Sequence, residues 1–320
     1  MALARHEYRA AVRSRALLAL LAILAVTTIT SVFVAAVDYR SQLADYEAYR
    51  AAARAAGLQQ VAPSPLALLS LLRGAVEYLE IIGAIIAITL GYLTVSRERV
   101  NRTLPLLRSR PVTGGEQAAG SALGAIAIIA TIIAATTLVA VAALGVIGND
   151  WVGGGQIVKL LLFALAAIVY MWVFYCLGAI ITTRSRVATN GLMIALGIWL
   201  VVVLILPQIG DTLDADNQVP GGLFSALALD KPKELQILSH FGTYENVRNG
   251  IEGASLAKRF ERFSFAMTDV PLKYRGFSLG QLMYEKRTDI VSMIGYVLVL
   301  GAGLFWSFRR QPAIPEGGPS

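Results

Sequence analysis

The stretch Gln117–Ile147 reads QAAGSALGAIAIIATIIAATTLVAVAALGVI, and no charged residue stands between Glu116 and Asp150. An α-helix rises about 1.5 Å per residue, so this run exceeds the roughly 20 residues that cross a hydrocarbon core of about 30 Å. A surface helix of a soluble protein keeps one charged face, and this stretch has none. Its stable solvent is the bilayer. The surplus length predicts a tilted helix, or one that begins in the cytoplasm. Inside it, Gly120-Ser-Ala-Leu-Gly124 has the small-xxx-small spacing through which another membrane helix approaches closely, a spacing common in alanine-rich spans.

Working outward, apolar runs recur at Ala16–Val37, Leu79–Val95, Ile157–Thr182, Thr189–Ile209 and Ile290–Phe308. Together with 117–147 they predict an all-α membrane protein with six transmembrane helices. Composition agrees, since the 320 residues are 56% hydrophobic and only 15% charged, against about 25% charged in soluble domains. The net charge of +7 is no sign of nucleic-acid binding, because the Lys and Arg residues flank the apolar runs as membrane anchors do. One cysteine, Cys176, lies inside an apolar run, and the two histidines, His6 and His240, are far apart. That excludes a disulfide framework and leaves no ligand set for a metal or haem. No cleavable leader is expected, because the first run is long and lacks a small-residue cleavage site.

The intervening pieces have distinct characters. In Met1–Arg15, Arg5, Arg9 and Arg13 fall on one helical face, which predicts an amphipathic elbow helix in the membrane interface or a plain cationic anchor. Residues 38–74 form a polar loop in which Gln42–Ala56 reads as helical and Leu66–Leu72 as a surface-lying helix. Residues 210–289 are long enough for a small subdomain with helical regions, including Tyr244–Arg262, whose Phe260, with the nearby Phe263 and Phe265, suggests packing. Asp211, Asp214 and Asp216 lack the glycine and distal Glu of an EF-hand and read as a solvated loop or a helix N-cap. Gly153-Gly154-Gly155 is not followed by Gly-Lys-Ser/Thr and is a turn, not a phosphate loop. Residues 311–320, rich in Pro and Gly, read as a disordered tail. Lys and Arg are dense in the short pieces 1–15, 96–116, 183–188 and 309–320, which places these, and both termini, in the cytoplasm, and 38–74 and 210–289 outside.

Few residues offer chemistry. Glu77 and Glu80, at the outer end of the second run, are candidates to line a substrate vestibule, since ionisable groups at membrane depth are costly without a function; the alternative is that they face interfacial water. Tyr170, Tyr175 and Cys176 read as helix packing. Asn101-Arg-Thr103 is a glycosylation sequon, silent if cytoplasmic. There is no His-Glu-x-x-His, Gly-x-Ser-x-Gly or Walker motif, so the chain is not expected to be an enzyme.

The segment Ser96–Glu116, SRERVNRTLPLLRSRPVTGGE, is the exception to this blandness. Arg97, Arg99, Arg102, Arg108 and Arg110 surround an apolar centre of Leu104, Leu106 and Leu107. A loop that only reversed the chain would not need that centre. The sequence resembles the cytoplasmic loop between helices two and three of ABC-2 type permeases, which runs Arg-Glu, then Thr-Leu, Leu-Leu and Pro-Val. Arg102 stands where that family usually has Gly, and Pro105 where it often has Glu. The elbow, the six runs and the long piece before the last run fit the same family, and the chain looks most like the permeases associated with multi-copper enzyme maturation.

What the resemblance implies is a permease subunit of an ATP-binding cassette transporter in the plasma (inner) membrane of a prokaryote, paired as a homodimer or with a related chain. The loop would be a coupling element seated on a separate ABC ATPase subunit, which would hold the ATP and Mg; this chain would need no cofactor. Arg97, Glu98, Arg99, Thr103, Leu104, Leu107, Pro111 and Glu116 would make the coupling contacts. Leu104 and Leu107, one turn apart, would fill an apolar pocket, while the charges set register. The work done is export or, alternatively, conformational work on an extracytoplasmic assembly factor with nothing translocated.

Overall fold

A computed structural model describes residues 8–9, 14–57, 67–100, 114–147, 152–213, 227, 233, 250, 253, 255–274 and 276–309. Within these residues the chain is 91% helical and has no strand. Six helical runs are long and apolar enough to cross a membrane. The elbow beyond Tyr8 and Arg9, most of 210–254, and the tail 311–320 lie outside the described residues.

The first span belongs to α1 (Arg15–Ala55), a continuous helix that includes the polar stretch after Val37. Its buried positions, Leu17, Leu24, Thr28, Val32 and Ala36, recur every seven or four residues and form one narrow stripe. The other faces expose Leu18, Val26, Phe33 and Val34, as suits a helix facing lipid. Where α1 meets the second span, Gly74 packs against the side chain of Ser31.

The second span is a composite. It begins as a 3-10 turn (Leu68–Leu72) and continues through α2 (Arg73–Tyr78), a π turn (Leu79–Gly83) and α3 (Ala84–Val100). Leu68, Leu69, Leu71 and Leu72 are buried against Val32 and Ala36 of α1 and against Ala140 and Leu144 of α4 (Gly114–Ile147). The expected surface-lying helix is therefore an interior one. Leu-Leu-Ser-Leu-Leu has one polar side chain, and Ser70 satisfies it internally by donating to the Ala67 carbonyl at 2.6 Å.

The fourth span is α5 (Gly154–Arg184). The best window of the second span is 67% buried and that of α5 56%, against 17% for the fifth and sixth spans, so these two form the axis of the bundle. Lipid is as apolar as leucine, so contact between spans is decided by close packing and hydrogen bonding rather than by removal from water. α3 and α5 pack through glycines. A β-carbon placed on Gly91 would abut the Tyr175 carbonyl oxygen and lie 2.8 Å from the Ala179 nitrogen; one on Gly178 would lie 2.7 Å from the Ile88 oxygen.

A short turn at Ser185–Val187 leads to the fifth span, made of α6 (Ala188–Trp199), a π segment (Leu200–Ile205) and α7 (Leu206–Leu213). Next among the described helices is α8 (Leu256–Met267). Its Ser255 cap accepts from the Lys258 N–H at 3.3 Å and donates to the Val202 carbonyl at 3.2 Å, so α8 starts beside the fifth span. Leu256, Ala257, Phe260, Phe263, Ser264 and Met267 are buried along one face, and Lys258, Arg259, Glu261 and Arg262 occupy the other. A capped short helix, α9 (Leu279–Glu285), then leads into the sixth span, α10 (Arg287–Arg309).

Candidate functional site

The Ser96–Glu116 segment is described at its two ends. Arg97, Glu98 and Arg99 continue α3 without a break, with Arg97 partly buried; of Glu98 and Arg99 only the backbone is described. Glu116 is exposed in the first turn of α4, where a negative side chain complements the positive end of the helix dipole. Thr103, Leu104, Leu107 and Pro111 lie outside the described residues. The segment is thus carried on two helical arms, α3 entering and α4 leaving.

Both arms meet the same turn of α5. Gly91 of α3 lies against the main-chain oxygen of Tyr175. The Tyr175 hydroxyl, on the other side, donates to the Ser121 carbonyl of α4 at 3.5 Å. Tyr175 is fully buried, and its ring stacks on Trp172 at 5.2 Å. Ser121 is itself buried and donates to the Ala118 carbonyl at 3.0 Å, so it is fixed within its helix. Sequence reading assigned Tyr175 to packing. Its place between the arms depends on three helices meeting, which no local pattern announces.

About one and a half turns along α5, Tyr170 does a comparable job for the second span. The π turn Leu79–Gly83 departs from the regular hydrogen-bond ladder, and a carbonyl in such a turn is available to an outside donor. The Tyr170 hydroxyl donates to the Glu80 carbonyl at 2.8 Å. On its other side, the Tyr170 ring stacks on Phe260 of α8 at 4.4 Å and meets Phe174 edge-on at 5.0 Å. α8 thereby closes over the π turn.

This arrangement separates the two vestibule candidates. Glu77 is half-exposed, its carboxylate receiving the Arg73 Nε at 3.0 Å, and Arg73 also lies over the Phe265 ring of α8. Glu80 is 7% exposed, within the interior. Although only three residues apart, they stand in different surroundings.

Ion pairs fasten α8 and its flanks to the spans. Lys159, near the start of α5, meets Asp269 at 2.6 Å, with both side chains largely buried. Asp269 adopts a positive φ of 54°, which Asp tolerates better than most residues. Arg259 and Lys286 both face Asp289 at the start of α10, at 3.3 and 3.7 Å. Among the described residues there is no group of three His, Cys, Asp or Glu that could hold a metal, and Cys176 is buried. Each of these charges has a partner, and together they fasten α8 and its flanks to α5 and α10.

No curated protein matches the chain. A protein-family model described as ABC-2 family transporter protein matches residues 1–312, a range that includes the Ser96–Glu116 segment, all six spans and α8. The chain belongs to the ABC-2 family of transporter proteins, as a multi-pass permease subunit of an ABC transporter.

Proposed function

We propose that this permease is driven by a separate ABC ATPase docked on the Arg97–Glu116 segment, and that it converts ATP hydrolysis into export or conformational work across the membrane. It does so as one half of a pair, a homodimer or a dimer with a related chain, in the inner membrane of a prokaryote with both termini in the cytoplasm. ATP and Mg are held by the partner. Glu98 and the arginines set the register of docking by charge, and Leu104 and Leu107 fill an apolar pocket on the ATPase. Burial of those two leucines contributes roughly 3–6 kcal/mol before the cost of association.

The observation that carries this reading is the meeting of both arms at Tyr175. A push on the segment moves α3 and α4 together, and each is in contact with α5 at that turn. α5 in turn carries Tyr170, on which Phe260 of α8 is stacked. A continuous line of packed groups therefore joins the segment to the far side of the bundle, where α8 and its ion pairs lie. Packed interfaces respond to such a push by switching arrangement rather than by deforming gradually.

The test is co-purification with the cognate ATPase. Glu98→Arg and Leu107→Asp release the ATPase while leaving the permease folded; retention of the ATPase by both variants refutes docking on this segment. Reconstitution in liposomes then distinguishes the two kinds of work. ATPase activity stimulated by a transported compound, with flux, identifies export, whereas stimulation by an extracytoplasmic protein without flux identifies conformational work.

A further inference from the structure

An apolar cavity of about 150 Å3 lies between α5, α8 and α10, lined by Leu162, Ala166, Val169, Phe263, Met293 and Ile294. A dry cavity of roughly this size accommodates a six-carbon hydrocarbon. It opens sideways: Leu165 and Ile294 at its lip are 58% and 51% exposed, and Leu161, Val291 and Leu298 continue the exposed apolar surface around it. It lies along the first half of α5 and the first two turns of α10, in the part of the bundle away from the Arg97–Glu116 segment. At that depth the solvent facing the opening is lipid.

A cation stands one helical turn from the lining residue Ile290, toward the start of α10. Arg287 precedes Ile290 and Ile294 by three and seven residues and shares their face of α10, one turn nearer the membrane surface. Its guanidinium stacks on the exposed Tyr284 ring at 4.0 Å and gives one N–H to the Tyr284 carbonyl at 3.2 Å. A guanidinium has five such donors. Among the described residues the acids of this region are engaged elsewhere: Asp289 faces Arg259 and Lys286, Glu285 faces Lys273, and Asp269 faces Lys159. The charge on Arg287 is not cancelled by them.

We propose that this groove is a binding site for an anionic phospholipid, with one acyl chain laid between α5 and α10 against Phe263 and the headgroup phosphate held by Arg287. Bulk lipid is as apolar as the groove, so the chain alone confers no strong preference. Selectivity comes from the headgroup, and one arginine near the surface favours anionic over zwitterionic lipid about fivefold.

The test uses the full chain in phosphatidylcholine nanodiscs, without ATPase or nucleotide, so its outcome is independent of the coupling reading. Trace phosphatidylglycerol or phosphatidylcholine carries a diazirine midway along one acyl chain, and labelled residues are mapped by mass spectrometry after illumination. Label is expected to concentrate on Leu165 and Ile294 above Leu138 and Val26, which are more exposed than either. Phosphatidylglycerol is expected to label there about fivefold more than phosphatidylcholine. Arg287→Gln abolishes that preference. Leu165→Trp, at the exposed lip where the fold tolerates it, lowers labelling of Ile294 and leaves Leu138 unchanged. Label distributed simply by exposed apolar area, equal labelling by the two lipids, or a preference that survives Arg287→Gln overturns the proposal.

Discussion

Gly91→Ala tests the joint on which the reading of this molecule rests. The added methyl meets backbone, not a flexible side chain: the Tyr175 oxygen, the Ala179 nitrogen at 2.8 Å and the Gly178 carbonyl carbon at 3.3 Å. Ordinary contact begins near 3.4 Å, so α3 and α5 must part by something on the order of 1 Å. A gap of that size forfeits a quarter to a half of each dispersion contact along the crossing, and overpacking of this kind costs about 1–3 kcal/mol. Replacing a helical glycine returns at most about 1 kcal/mol of propensity. The net loss is about 1–2 kcal/mol, or roughly 3–6 °C in melting temperature. Thermal unfolding in detergent, followed by size-exclusion fluorescence, reads this directly. Gly197→Ala and Gly301→Ala are the controls, because nothing lies within 4 Å of a β-carbon at either position; their melting points hold or rise. Gly178→Ala, which meets the Ile88 backbone, behaves like Gly91→Ala, and the double variant loses less than the sum because the helices have already parted. If Gly91→Ala melts with the controls, the close crossing is wrong and the arms are not fixed at Tyr175.

Other perturbations follow from the fastening of α8. Lys159→Met strands the largely buried Asp269 carboxylate and destabilises by about 2–3 kcal/mol, whereas Lys159→Met with Asp269→Leu loses much less; additive losses in thermal unfolding would refute the pairing. Tyr170→Phe keeps the stack on Phe260 but leaves the Glu80 carbonyl without its donor, at a cost of about 1–2 kcal/mol. An unchanged melting point in that variant would mean that the π turn needs no outside donor.

The six spans were legible because apolar runs of this length have no other stable reading. The start of the second span was not. Arg73, Glu77 and Glu80 look like the polar approach to a helix beginning at Leu79, yet the helical run begins at Leu68. Arg73 and Glu77 neutralise each other one turn apart, which lets the helix carry them. Glu80 is buried where Tyr170 of α5 reaches its carbonyl, with Phe260 of α8, 180 residues later in the chain, stacked on that tyrosine. Such a contact leaves no trace in local periodicity. The three phenylalanines did signal that α8 packs, and two of them, Phe260 and Phe263, are buried, while Phe265 faces Arg73. Charge marked Ser96–Glu116 as a polar connection, but did not show that α3 runs on through Arg99 and that α4 already starts at Gly114. The role of Tyr175 was not legible either, since a tyrosine among apolar residues reads the same whether it fills space or bridges two neighbours.

The length of α1 has a geometric consequence. Its 41 residues make a rod about 60 Å long, twice the thickness of the hydrocarbon core. Its contact with Gly74 falls at Ser31, leaving about 24 Å of rod toward Arg15 and about 36 Å toward Ala55. Rotation about that point sweeps the Ala55 tip through an arc half as large again as that of the Arg15 end. The Ala55 half of α1 is thus a pointer: a probe on the exposed Arg50 would register a tilt too small to resolve near Ser31.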